Sequence, residues 1–118
     1  MSRATSDLEQ RFLDGVREAG FPEPQRELRL VPGRQFCCDF IWDGPKVVVE
    51  VEGGLWMRGR HTTAGGIQAD MEKYNLLAIL GWLVLRVSER HIATGVAYEW
   101  LFEALAQRGA IVREEEHA

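Results

Sequence analysis

Apolar positions along the chain fall into alternating helical and strand rhythms, punctuated by glycine and proline. Over residues 6–19, Leu8, Phe12, Leu13 and Val16 recur at helical spacing. This predicts an amphipathic helix, stopped by Gly20 and Pro22. Residues 26–42 hold two β-rich runs around Pro32-Gly33, the pattern of a hairpin. Asp43-Gly44-Pro45 is a second turn, and KVVVEVE, residues 46–52, reads as a third strand. Residues 53–66 are too rich in glycine and charge for a regular element and read as a loop. A second helix follows over 67–80, closed by Gly81, then an apolar strand over 82–87 broken only by Arg86. The last helix, 95–107, carries Val96, Trp100, Leu101 and Leu105 on its apolar side. Trp82, Trp100 and Phe102 read as packing residues.

The order is α-β-β-β-α-β-α. Its strand-helix-strand segment calls for a right-handed parallel crossover between the third and fourth strands. The hairpin adds antiparallel strands. The expected fold is α/β, a mixed four-stranded sheet flanked by helices. One domain spans residues 1–112, and the acidic end REEEHA, residues 113–118, reads as a disordered tail.

Composition narrows this only a little. The 118 residues suffice for one core and not for two. No apolar run approaches the roughly 20 residues of a membrane span, and MSRATSDLEQ lacks the apolar stretch of a secretory signal. Cys37 and Cys38 are adjacent within an expected strand, so their side chains diverge and make a poor disulfide. With no other cysteine there is no zinc framework, and a reducing cytoplasm is expected. The net charge of −4 argues at first against a nucleic-acid partner. The tail carries −2 of it, and setting aside Glu9, Asp39, Glu50 and Glu52 leaves about +2. That balance is compatible with DNA without indicating it.

The informative feature is a pair of glutamates on an otherwise apolar strand. Glu50 and Glu52 lie two positions apart and share a face, opposite Val47, Val49 and Val51. Two like charges there repel and are costly to desolvate, so something must compensate them. Asp39, on the preceding strand, can come beside Glu50 across the hairpin. Converging carboxylates of this kind suit Mg²⁺ or Mn²⁺, and such a site suits phosphodiester hydrolysis. Two plainer readings stand beside it: a solvated strand face, or ion pairs with arginines such as Arg29 and Arg86.

Asp39 with Glu50-Val51-Glu52 resembles the core of the PD-(D/E)XK nuclease superfamily, whose α-β-β-β-α-β order matches the one above. The run DFIWDGPKVVVEVEGGLWMRGRH followed by DMEKYNLLAILGWLVLRVSER resembles the branch that contains very short patch repair endonucleases. There a Gly-x-x-Trp segment, a nearby His, a helix with Lys and Asn, and a Gly-Trp-x-Val-Leu strand recur in this order. The similarity covers residues 36–90. It implies Asp39 as the central metal ligand, Glu50 as a second, and the Val51 carbonyl as a third. Glu52 stands where many members have lysine. Lys73, on the second helix, is the candidate for a migrated lysine, its alternative a surface lysine paired with Asp70.

Glu9 matches a carboxylate that many members add to the metal site, and Ser6-x-x-Glu9 also has the spacing of a capping box. His61 lies in a loop that could reach a scissile phosphate and serve as acid, base or donor, its alternative an ordinary loop histidine. Arg58 and Arg60, with Thr62 and Thr63, suit phosphate contacts, or form a solvated loop. Trp56 stacks on a base or caps the core. Gln68 and Asp70 stand where the second helix begins and could line the site.

The implied function is a Mg²⁺- or Mn²⁺-dependent DNA endonuclease acting on structured or damaged duplex DNA. A Holliday-junction resolvase on the same core, or a catalytically inactive nucleic-acid-binding module, are the alternatives. DNA is the implied partner, paired cleavage would require a homodimer, and no membrane is involved. The setting implied is the cytoplasm of a bacterial or phage-infected cell.

Overall fold

The computed structural model describes residues 3–53 and 64–113, with side chains from residue 7 onward. Its elements are α1 (Arg3–Glu18), β1 (Gln25–Leu28), β2 (Cys38–Trp42), β3 (Val47–Glu52), α2 (Ala64–Ile79), β4 (Leu83–Ser88), α3 (Glu89–Thr94) and α4 (Val96–Gln107). The strands form one mixed sheet in the order β1-β2-β3-β4. β1 and β2 pair antiparallel, as do β2 and β3, while β3 and β4 run parallel on either side of the α2 crossover. This is the α/β arrangement expected from the element order, a four-stranded mixed sheet flanked by helices.

The alternation along β3 sorts the core onto two faces. Val47, Val49 and Val51 join Phe40 beneath α1 and α4, with Leu8, Phe12, Leu13, Val16, Leu101 and Leu105. Val48 and Ile41 face the other way, toward Leu77 of α2 and Trp82. Glu50 and Glu52 fall on the face of Val48, so α2 is the element that can answer their charge.

Gly15, in the middle of α1, is explained by a close approach to α4. A Cβ added there would run into the Tyr98 ring and hydroxyl. That ring stacks on Phe12 with centroids 5.5 Å apart, and its hydroxyl donates to the Phe12 carbonyl at 3.3 Å. Gly15→Ala is therefore expected to destabilise by about 1–3 kcal/mol through overpacking, although alanine favours the helix. Urea denaturation checks this; a stabilised variant would contradict it.

Several details differ from the sequence-based expectation, and one is that α2 begins at Ala64, inside the segment 53–66 expected to be a loop. The hairpin strands are shorter and its connection wider, because Leu30 and Val31 leave the strand to pack with the Trp82 cluster. α1 begins at Arg3, which puts Ser6 within the helix rather than at its N-cap. A short α3 precedes α4: Ser88 caps it, with the Ser88 N–H donating to His91 Nδ1 at 3.0 Å. Gly95, at φ 88°, ends α3 and starts α4. Trp100 is 39% exposed and sits edge-on to His91, because the buried stripe of α4 runs through Ala97, Leu101, Ala104 and Leu105.

At the other end of the chain, Arg113 folds back to a two-pronged pair with Glu103. Residues 114–118 lie outside the described residues. Among the described residues, no helix is long and apolar enough to cross a membrane.

Candidate functional site

The site lies where β2 and β3 part. Their register runs from Trp42↔Val47 to Phe40↔Val49. One step further, side chains replace the ladder. The Asp39 N–H donates to Glu50 Oε2 at 2.8 Å, and the Val51 N–H donates to Asp39 Oδ2 at 2.8 Å. Each carboxylate thus satisfies a main-chain donor freed by the diverging strands, and the exchange holds the two acids side by side. Among the described residues, Asp39 Oδ1 accepts no hydrogen bond.

Burial makes both acids reluctant to ionise, and at Glu50 the charge of Asp39 adds to it. Desolvation raises the Asp39 carboxyl above its ordinary value, against the lowering effect of the Val51 N–H and Lys73. Desolvation followed by the charge of Asp39 raises Glu50, which is 5% exposed. A positive charge is therefore strongly favoured here.

Lys73 supplies one. From α2 its ammonium donates to Glu50 Oε1 at 2.5 Å and to the Cys37 carbonyl at 2.8 Å. The side chains are only 13% and 6% exposed, so this is a buried pair. Glu52 is answered separately. Arg86 Nε on β4 donates to Glu52 Oε2 at 3.0 Å, and the Tyr74 hydroxyl donates to the same oxygen at 3.2 Å. Burial, then the charges of Glu50 and Glu52, push the Tyr74 hydroxyl up, which keeps it a donor. The two strand glutamates are thus compensated from within the chain, by Lys73 and Arg86 rather than Arg29. Tyr74 carried no chemical role in the sequence reading.

Glu9 reaches the same neighbourhood from α1. It is 2% exposed, and it accepts from Arg26 Nη2 at 3.1 Å. Desolvation, then the charge of Asp39, raise its carboxyl to about 7. Arg26 lies over the Phe40 ring at 4.4 Å, and its Nε is buried without a partner among the described residues. A carboxyl raised in the folded state binds more protons there than in the unfolded chain, so stability falls as pH rises from about 4.5 to about 7. Glu9→Gln keeps an acceptor for Arg26 and removes the charge. It is expected to flatten this slope and stabilise the protein by about 2 kcal/mol at pH 8. Urea denaturation from pH 5 to pH 8 would expose the error if the slope survived in the variant.

The remaining expected site residues divide by location. Asp70, half-buried on α2, adds negative charge near Tyr74 and Arg86. Gln68 is exposed. Trp56, Arg58, Arg60, His61, Thr62 and Thr63 lie outside the described residues. Cys37 is exposed and Cys38 buried, both free, and burial raises the Cys38 thiol to about 12. Among the described residues, no three His, Cys, Asp or Glu side chains are grouped so as to hold a metal ion.

The fit of a divalent cation rests instead on two adjacent carboxylates. Asp39 and Glu50 offer hard oxygen ligands, each ionised carboxylate having more lone pairs than its hydrogen bonds use. Their raised carboxyls would be relieved by added positive charge. Comparison with protein-family models, with curated proteins and with solved structures gave no match.

Proposed function

We propose that this chain is a metal-dependent DNA endonuclease built on a PD-(D/E)XK-like core. One observation carries the reading: Asp39, Glu50 and Lys73, from β2, β3 and α2, converge where the two strands part. Asp39 and Glu50, with the Val51 carbonyl, would hold Mg²⁺ or Mn²⁺. The cation when bound would activate water and offset charge on the phosphate.

The chain's own groups do the rest. The bonds from the Asp39 N–H to Glu50 and from the Val51 N–H to Asp39 fix the spacing of the two carboxylates before any ligand arrives, so little reorganisation remains. Lys73 lies beside them as a compact cation with three donors, suited to a phosphate oxygen or to the charge developing on it. Glu52, fastened to Arg86 and Tyr74, is held away from the role of a free base. Deprotonation of water then falls to another group, and His61 remains the candidate from the resemblance.

A second reading is favoured by the pairing itself: Lys73 and Arg86 balance the strand glutamates without a metal, as in a purely structural ion-pair network. Metal separates the two. Supercoiled plasmid, nicked and mismatched duplexes, flaps and a four-way junction would be incubated with Mg²⁺, Mn²⁺ or EDTA, using Asp39→Ala as control. Cleavage in metal alone, lost in the variant, is expected. Saturating Mn²⁺ is also expected to stabilise the native chain by about 2.7 kcal/mol at a hundredfold excess over Kd, and to leave the variant unmoved. Neither cleavage nor metal-linked stabilisation would leave the ion-pair network standing.

A further inference from the structure

Lys73 is held by more than its two hydrogen bonds. Its ammonium lies 5.7 Å from the Phe36 ring centroid and 5.6 Å from that of Tyr74, so two aromatic rings flank it. Phe36 belongs to the connection between β1 and β2, whereas Tyr74 follows Lys73 on α2. Tyr74 is itself pinned on two sides. Its hydroxyl donates to Glu52 Oε2, and the Arg86 guanidinium lies 4.4 Å over its ring while bonding the same oxygen. A chain of contacts therefore runs from Glu52 and Arg86 on the sheet, through Tyr74, to the ammonium beside Glu50.

We propose that Tyr74 and Phe36 are positioning residues for Lys73, and that Glu52 acts through Tyr74 to keep that lysine on Glu50. A lysine tail has four rotatable bonds, and holding it in one geometry costs conformational freedom. Two flanking rings restrict the tail, favour the cation electrostatically and leave its donors for oxygen. The arrangement gives Glu52 a role suited to its charge. In the strand position where the resemblance leads one to expect lysine, a glutamate anchors the aromatic residue that holds a lysine arriving from the helix. The catalytic part of the inference rests on the nuclease reading; the positional part does not.

The chain has only two lysines, Lys46 and Lys73, which makes the test direct. Protein labelled with ¹⁵N-lysine should show two side-chain ammonium signals, that of Lys73 identified by its loss in Lys73→Met. Lys46, which donates to the Leu80 carbonyl and lies 5.3 Å from the Trp82 ring centroid, is the internal reference. In the native chain the Lys73 ammonium should exchange slowly, and its ε-methylene protons should be shifted by the flanking rings. Tyr74→Leu and Phe36→Leu are each expected to remove most of that shift and speed exchange, with Lys46 unmoved. Tyr74→Phe and Glu52→Gln, which keep the ring but weaken its anchor, should fall between. Unchanged Lys73 signals in both leucine variants would overturn the proposal, whatever the protein does to DNA.

The kinetic arm uses the preferred DNA substrate. Tyr74→Leu is expected to lower kcat on the order of tenfold with KM for DNA within about twofold, as misplacement of one polar group does. Loss of the NMR signature with kcat intact would overturn the catalytic part. An inactive native protein that keeps the NMR signature would sink the nuclease reading and leave the positioning of Lys73 established.

Discussion

Lys73→Met is expected to destabilise the protein on the order of 3 kcal/mol at pH 8, because it strands a buried carboxylate. Glu50 is 5% exposed, and its ordinary ionisation is already opposed by desolvation and by Asp39. Lys73 is the cation that works against this, through its charge and a direct hydrogen bond. Without it the folded-state carboxyl rises further, while the unfolded chain keeps its ordinary value. A group raised on folding loses stability as pH climbs, so the deficit should shrink as pH falls through the ordinary carboxylate range and grow above it.

Glu50→Gln removes the stranded charge, and the double variant should recover most of the loss. That recovery distinguishes lost charge balance from lost packing of the lysine stem. Urea denaturation of the two single variants and the double variant at pH 4 and pH 8 gives the result. A double variant no more stable than Lys73→Met alone would mean that the pair is not the source of the effect.

Under the proposed nuclease reading, Asp39→Asn is expected to reduce metal-dependent cleavage about a thousandfold, as loss of charge stabilisation at a reacting centre does. Its effect on stability should have the opposite sign. Asparagine can still accept from the Val51 N–H, so the junction between β2 and β3 keeps that bond. Desolvation raises the Asp39 carboxyl, so its ionised form weakens the fold above the ordinary carboxylate range. Neutralising it also relieves Glu50 and Glu9, both raised in part by its charge.

The variant should therefore match or exceed the native chain in stability at pH 8. A protein more stable and inactive would fit a site that trades stability for chemistry. Paired plasmid-nicking assays and urea denaturation decide it: activity within tenfold of the native level would remove Asp39 from the mechanism.

Much of the architecture was legible in the residues because it depends on periodicity. The spacing of Leu8, Phe12, Leu13 and Val16 specified α1, and the valines of β3 specified a strand with one apolar face, which α1 and α4 cover. The order of elements specified a mixed sheet, since a strand-helix-strand segment returns to the sheet in parallel while hairpins do not. Periodicity was silent where an element is too short to have a period. α3 owes its existence to the Ser88–His91 cap and to one buried residue, Ile92, rather than to a stripe.

For the site, the sequence by itself determined that Glu50 and Glu52 share a face and that an apolar strand cannot carry them uncompensated. It also allowed Asp39 to come beside Glu50 across the hairpin, and the register that pairs Phe40 with Val49 puts the two acids one step further along. Only the tertiary structure decided which cation answers which acid. The choice of Lys73 for Glu50 and Arg86 for Glu52 depends on how α2 crosses the sheet, a packing outcome with no local code. The same crossing sets Tyr74 between Glu52 and Lys73. Side chains on one face of a strand follow from its alternation, but partners drawn from elements tens of residues away follow from the way those elements pack.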